Sequence, residues 1–212
     1  MKLAILSDTH GLLRPAAVPP GDHHDDGGTH RRKGPSGEDQ YLPRGEVMEL
    51  GLTFPLQRFL KGKAPAYGTE PDRRFCWDLH VIDLRGRKCL LAVHCHSRYT
   101  FVRYDVAPVA WADISGLFRE GVLESLTAAG FSRGQVKGYL GQAGVLKVTR
   151  THGRREGAFL NRAWEDVLKM DLCLDTDSQA QPLLDHAVNT CPSRCAGVDG
   201  LGLGLERIAL SL

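Results

Sequence analysis

The sequence predicts an α+β domain, in which a small antiparallel β meander packs against three to four helices and follows a disordered N-terminal arm. Three observations support this fold class. Strand-like runs separated by short turns occupy residues 75–104, apolar residues recur at helical spacing after residue 110, and Pro, Gly and charged residues dominate 15–46. Short gaps between alternating runs favour antiparallel pairing, and strands followed by helices favour an α+β architecture.

Composition divides the chain into three parts. Residues 1–47 are expected to form the arm, because a stretch with so few apolar residues cannot bury enough surface to offset its ordering entropy. Residues 48–196 form the predicted domain, and 197–212 form a tail rich in Gly and Leu. Alternative interpretations of the arm are a gene remnant, a fusion, or a start codon assigned too early, with Met48 as the real start.

The predicted meander begins after a short strand or turn and a short helix at residues 48–60. Residues 75–84 (FCWDLHVIDL) alternate, with Trp77 on the inward side. Residues 88–95 (KCLLAVHC) are nearly all apolar, which is typical of a central strand, and residues 99–104 alternate again.

The second half of the sequence predicts helices. An apolar stripe over 111–129 ends at Gly130, and Ser132 can cap the next, shorter helix. The remaining predictions are a strand over 145–149, an amphipathic helix over 156–170 with Trp164 inward, a helix over 179–188, and a weak helix near the C-terminus. Pro182 fits the first turn of the helix over 179–188.

Composition also limits the function. The chain has 212 residues, 42% of them hydrophobic, and a net charge of +2, which indicates neither nucleic acid nor a membrane surface as a partner. No apolar run approaches the roughly 18 residues of a membrane span. The six dispersed cysteines are interpreted as reduced thiols, so a cytoplasmic location is expected, and no cofactor is required.

The first residues carry a partial motif for metal chemistry. An apolar run at 3–6 leads into Ser7-Asp8-Thr9-His10, and a strand end can direct Asp8 and His10 to one cation. This opening resembles that of the calcineurin-like metallophosphoesterases, in a truncated form. The resemblance implies a divalent metal such as manganese or zinc and a phosphoesterase activity as the alternative function. The further ligands of that family are missing from the rest of the sequence.

A second resemblance covers about residues 48–196. The runs FCWDLHVIDLRGRKCLLAVHCHSRYTFVRY and VLKVTRTHGRREGAFLNRAWEDVL resemble a bacterial and archaeal family of uncharacterised proteins, a domain of unknown function. The residues that carry the resemblance are Trp77, Arg85, Arg87, Lys88, Arg98, Tyr99, Thr151, His152 and Asn161. The family implies no established activity.

Two further groups contain potential metal ligands. The cluster of His23, His24, Asp25, Asp26 and His30 could bind divalent cations loosely. His94 and His96 could combine with Cys191 and Cys195, whose spacing is within the range of zinc ligands. Buried thiols and a histidine at a strand end are the alternative interpretation.

The predicted site of the domain is an anion pocket at His152, Arg154, Arg155 and Asn161. These residues lie between a strand and the start of a helix, where free backbone N–H groups and guanidinium groups attract negative charge. The resulting hypothesis is a binding or regulatory module for a small anion or a protein partner, rather than an enzyme.

Overall fold

The computed structural model describes residues 47–212, so Asp8, His10 and the rest of the predicted arm except Val47 lie outside the described residues. The strands are β1 (Val47–Leu52), β2 (Cys76–Leu84), β3 (Arg87–His94), β4 (Thr100–Arg103) and β5 (Val145–Arg150). The helices are α1 (Phe54–Leu60), α2 (Ile114–Ala128), α3 (Arg133–Gln142), α4 (Arg154–Lys169), α5 (Pro182–Asn189) and α6 (Gly204–Ile208). Short 3-10 turns lie at Arg73–Phe75, Ala110–Asp113 and Asp171–Cys173.

The five strands form one mixed sheet in the order β4-β3-β2-β1-β5. β2, β3 and β4 pair antiparallel, as the meander prediction requires, whereas β1 lies parallel to both β2 and β5. The α+β class is therefore confirmed. The parallel strands follow from the connections, because α1 and its loop separate β1 from β2 and leave room for a crossover.

The sheet separates two hydrophobic clusters, one on each face, because successive side chains of a strand point to opposite faces. Trp77 and Leu79 of β2 belong to the first cluster, together with buried residues of α1, α2, α3 and α6. Ile82 and Leu84 belong to the second cluster, together with buried residues of α4 and α5. Helices therefore cover both faces of the sheet.

The two tryptophans predicted to be buried lie on opposite faces. Trp77 is fully buried, and its Nε1 donates a hydrogen bond to the Tyr139 hydroxyl at 2.9 Å. Trp164 is only partly buried against the second cluster, where its ring packs edge-to-face on His80 at 5.3 Å. The burial prediction is thus confirmed for Trp77 and only partly correct for Trp164.

Local sequence signals set several helix ends. Ser132 and Gln135 form a capping box, in which each side chain accepts a hydrogen bond from the backbone N–H of the other residue. Pro182 occupies the first turn of α5, where it costs no hydrogen bond. The C-terminal tail contributes to the core, since Ile208 of α6 is fully buried in the first cluster. Within residues 47–212, no helix combines the length and apolar character needed to cross a membrane.

Candidate metal centre

A buried group of polar side chains lies on the sheet face that α4 covers. We call it the polar cluster and define it as Glu49 of β1, Cys76 and Asp78 of β2, Cys95 after β3, and His152 after β5. Two strands, the turn after β3 and the loop after β5 contribute to it, so its residues are distant in sequence.

Strand register brings four of these residues together. Glu49 pairs with Cys76 and Gly51 pairs with Asp78 across the parallel β1–β2 ladder. The backbone N–H of Cys95 donates to the carbonyl of Cys76 at 2.9 Å, which places the two cysteines side by side. Residues 49 and 51 alternate along β1 as their partners 76 and 78 do along β2, so all four positions lie on one face of the sheet.

His152 joins the cluster from the loop between β5 and α4. Its Nδ1 lies 2.7 Å from Oδ1 of Asp78, and its backbone N–H also reaches this oxygen at 3.3 Å. The Sγ of Cys95 lies 3.5 Å from the same Nδ1. On the other side of the ring, Nε2 lies 3.3 Å from Oε2 of Glu49. The imidazole is therefore held between two carboxylates.

The cluster is buried and incompletely hydrogen-bonded. The side chains of His152 and Glu49 are each 1% exposed, and that of Asp78 is 2% exposed. Nevertheless, Oε2 of Glu49, Oδ2 of Asp78 and Nε2 of His152 have no hydrogen-bond partner among residues 47–212. Buried polar atoms without partners are costly and rare in folded proteins, so three in one cluster call for an explanation.

Electrostatics favour a charged imidazole in this arrangement. Burial alone would lower the pKa of His152, but the hydrogen bond to Asp78 and the surrounding negative charge raise this pKa to about 10. Burial raises the pKa of Asp78, and the hydrogen bonds from His152 counter that rise. Burial also acts to raise the pKa of Glu49, but hydrogen bonds from the backbone N–H groups of Thr69 and Glu70 keep it below its ordinary value.

The ligand atoms of the cluster are close enough to share one cation. Glu49, Cys76 and His152 form one group in which all ligand atoms lie within 4.8 Å of one another, and Asp78, Cys95 and His152 form a second. Thiolate, imidazole and carboxylate together are typical zinc ligands. Asp78 binds Nδ1 of His152, whereas Nε2 faces Glu49 of the first group. A metal-bound histidine usually has this form, in which one ring nitrogen binds the metal and the other binds a carboxylate.

Charged side chains surround the cluster. Nζ of Lys147 lies 3.6 Å from Oε1 of Glu49. Arg73 donates to the carbonyl of His152 at 3.4 Å, and its Nη1 lies 3.7 Å from Sγ of Cys76. Glu156, in the first turn of α4, lies 3.6 Å from Nε of Arg73. Lys147 and Arg73 therefore offset part of the negative charge of the cluster.

Gly51 provides the space that the cluster occupies, which leads to a prediction. A Cβ at this position would overlap Oδ1 of Asp78 and lie 2.9 Å from Nδ1 of His152. Gly51→Ala should therefore lower the free energy of unfolding by about 1–3 kcal/mol, as overpacking does. The matched control is Gly138→Ala in α3, where an added Cβ meets no atom within 4 Å and should stabilise the helix by about 0.5–1 kcal/mol. Urea denaturation of both variants checks this, and an unaffected Gly51→Ala would contradict the packing described.

His152 should make the stability of the metal-free protein depend on pH. Its pKa is raised to about 10 in the folded state, against about 6.5 in an unfolded chain. Its contribution is therefore complete below about pH 6.5 and is lost as the pH rises towards 10. Across this window the free energy of unfolding of the wild type should fall by at least 1 kcal/mol more than that of His152→Gln, measured by urea denaturation. Parallel curves for the two proteins would contradict a charged imidazole.

The residues of the predicted anion pocket occupy different environments. The ring of His152 is buried and contacts carboxylates, whereas Arg154, Arg155 and Asn161 are exposed on α4. The only recorded ion pair of Arg155 within the described part of the chain is with Asp199, at 3.9 Å. Anion binding by these four residues stays a prediction, and the geometry favours a different role for His152.

The other proposed zinc ligands do not converge within the described residues. His94 is fully buried, and its two ring nitrogens are used by Oγ of Ser97 at 2.7 Å and the carbonyl of Arg74 at 2.9 Å. Neither group of converging ligand atoms in residues 47–212 includes His94, His96, Cys191 or Cys195.

Sequence reasoning missed four of the five cluster residues. A signal was present in FCWDLHVIDL, where Cys76 and Asp78 alternate with apolar residues. Such alternation usually marks a solvent-exposed face, and only the cover provided by α4 turns this face into an interior. Glu49 lies in a run that is compatible with either a strand or a turn, and a single charged residue there forms no recognisable ligand motif.

Comparison with known proteins identifies the family. A family model described as "Domain of unknown function (DUF6933)" matches residues 49–200, which is most of the chain. The chain belongs to this family. The matched region of DUF6933 contains the whole polar cluster, and it confirms the resemblance to a family of uncharacterised proteins. No curated protein matches the chain. The metallophosphoesterase resemblance of the first residues has no support, because the DUF6933 match begins after them.

Proposed function

We propose that this DUF6933 domain binds one divalent transition-metal ion of the zinc class through Glu49, Cys76 and His152. The observation that carries the proposal is the pair of atoms Oε2 of Glu49 and Nε2 of His152, which have no hydrogen-bond partner among residues 47–212 and lie buried, 3.3 Å apart, next to a thiol. Asp78 would orient the imidazole through Nδ1.

A metal ion accounts for the cluster better than an ion pair does. With a proton on Nε2, His152 forms an ion pair with Oε2 of Glu49 at 3.3 Å, but the geometry of this contact is not that of a hydrogen bond. A divalent cation would give the carboxylate, the imidazole and the thiolate a shared partner. Sulfur and nitrogen ligands exclude calcium and magnesium, which prefer oxygen, and favour zinc or a similar ion.

The charges of the cluster agree with this assignment. A carboxylate, a thiolate and a neutral imidazole together neutralise a divalent cation, which matters because an unbalanced charge is costly in a dry interior. The second carboxylate, Asp78, remains, and Arg73 supplies positive charge nearby at Cys76 and at the carbonyl of His152. Such a centre would tie β1, β2 and the β5–α4 loop together.

Calorimetric titration with zinc chloride tests the proposal on the reduced full-length protein without a histidine tag. We expect one tight site per chain, and binding at least about 100-fold weaker in Glu49→Gln, Cys76→Ser and His152→Gln, since each variant removes one of three ligands. Cys191→Ser and His186→Gln are matched controls that should bind as the wild type does. The absence of tight binding, or equal binding by Cys76→Ser and the wild type, would overturn the proposal.

The His and Asp tract at 22–30 requires its own control, because imidazoles and carboxylates can bind zinc wherever they occur. Replacing His23, His24 and His30 together with Asn should remove any weak binding phase and leave the tight phase unchanged. Loss of the tight phase in this variant would place the metal in the tract and would contradict the proposed centre.

A further inference from the structure

A cavity lies beside α4, away from the first turn of this helix. It opens between the C-terminal half of α4, Arg98 in the turn before β4, and residues 192–194. Its volume of about 490 Å³ is within the range of cavities that hold small metabolites. None of its lining residues belongs to the polar cluster.

The lining of this cavity is positively charged. Four cationic side chains, Arg98, Arg162, Lys169 and Arg194, face two carboxylates, Glu165 and Asp166. Asp166 is paired with both Arg98 and Lys169. Within residues 47–212, Arg162, Arg194 and Glu165 take part in no ion pair, and the four cations and two carboxylates together leave a net charge of two positive units at the cavity.

Arg98 is a buried cation at the wall of the cavity. Its side chain is 4% exposed and is paired with Asp166 through Nη2, while its Nε has no hydrogen-bond partner among the described residues. Because Nε is itself buried, Arg98 contributes to the site as a fixed positive charge at its wall and not through this N–H group.

The opposite wall is held in place by backbone hydrogen bonds. Ser193 and Gly202 exchange two backbone hydrogen bonds of 3.0 and 3.1 Å. The buried Arg207 of α6 donates to the carbonyl of Ser193 at 2.8 Å and to that of Gly200 at 3.0 Å. The segment that carries Arg194 is therefore fixed before any ligand binds, which reduces the entropic cost of binding.

We propose that this cavity binds a small phosphorylated molecule, with the phosphoryl group between Arg98, Arg162 and Arg194. Planar guanidinium groups match the oxygens of a phosphoryl group with paired hydrogen bonds, and a net charge of two positive units suits a dianion. The site is independent of the metal centre and differs from the pocket predicted at the start of α4.

Calorimetric titrations with inorganic phosphate, pyrophosphate and adenosine 5′-monophosphate at low ionic strength test this proposal. We expect saturable binding of at least one probe, weakened about 10-fold or more in Arg162→Gln and in Arg194→Gln, and weakened by added salt. Arg119→Gln, at an exposed position of α2, is the matched control and should bind as the wild type does.

Arg155→Gln distinguishes the two anion sites on α4. If the phosphoryl group lies in the cavity, this variant should bind the probe as the wild type does. A loss of binding in Arg155→Gln alone would place the anion at the start of α4 and would overturn the proposal. The proposal is equally overturned if none of the three probes binds at about 10 mM, or if Arg119→Gln weakens binding as much as the cavity variants do, because the attraction would then be unspecific.

Discussion

Trp77→Ala is expected to lower the free energy of unfolding by about 4 kcal/mol, the typical cost of truncating a fully buried large aromatic residue. Trp77 is 0% exposed, and its ring centre lies 5.3 Å from that of Phe118 and 5.7 Å from that of Phe101. Its truncation would leave a cavity between β2 and α2 and would also deprive the buried Tyr139 hydroxyl of a donor. Urea denaturation followed by circular dichroism measures the change.

The matched control is Trp164→Ala on the opposite face. Trp164 is only partly buried and its Nε1 has no hydrogen-bond partner among residues 47–212, so its truncation should cost clearly less, about 1–2 kcal/mol. Equal losses for the two variants, or a larger loss for Trp164→Ala, would show that the first cluster is not the main core.

Zinc is expected to raise the stability of the reduced protein by about 4 kcal/mol when the free ion is present at roughly 1,000 times its dissociation constant. The reason is that Glu49, Cys76 and His152 converge only in the folded chain. The measurement is the urea midpoint at pH 7 with and without zinc.

The pH dependence of this stabilisation provides a further check. Metal binding must displace the proton of His152, whose pKa is raised to about 10, so the gain should shrink as the pH falls from 8 to 6. Cys76→Ser should lose most of the gain, and Cys191→Ser should keep it. A gain that is independent of pH and present in Cys76→Ser would mean that zinc acts elsewhere.

The fold was predictable where local patterns agree with the tertiary structure. Alternation over 75–84 and the short turns after it identify β2, β3 and β4 correctly, and Ser132 marks the start of α3. The position of β1 was not predictable in the same way. Its parallel pairing with β2 and β5 depends on contacts between residues about 30 and 100 positions apart, which leave no short-range pattern.

The candidate site was predictable only in part. The sequence singles out His152 as a functional residue, but it favours an anion site because the basic residues Arg154 and Arg155 follow closely and Asn161 lies on the same predicted helix. In the structure its contacts are Asp78 and Glu49, which lie 74 and 103 positions away. Sequence order shows neither the burial of a side chain nor its partners across a sheet, and these two properties distinguish a cation site from an anion site here.

The most direct test of the metal centre is a titration with cobalt(II) followed by absorption spectroscopy. Cobalt(II) takes the place of zinc in such sites, and a cysteine thiolate bound to it gives a charge-transfer band in the near ultraviolet. We expect this band in the wild type and in Cys95→Ser, and its loss in Cys76→Ser. The absence of the band in the wild type would contradict a metal centre with a cysteine ligand, and a band that survives in Cys76→Ser but disappears in Cys95→Ser would contradict the proposed ligands.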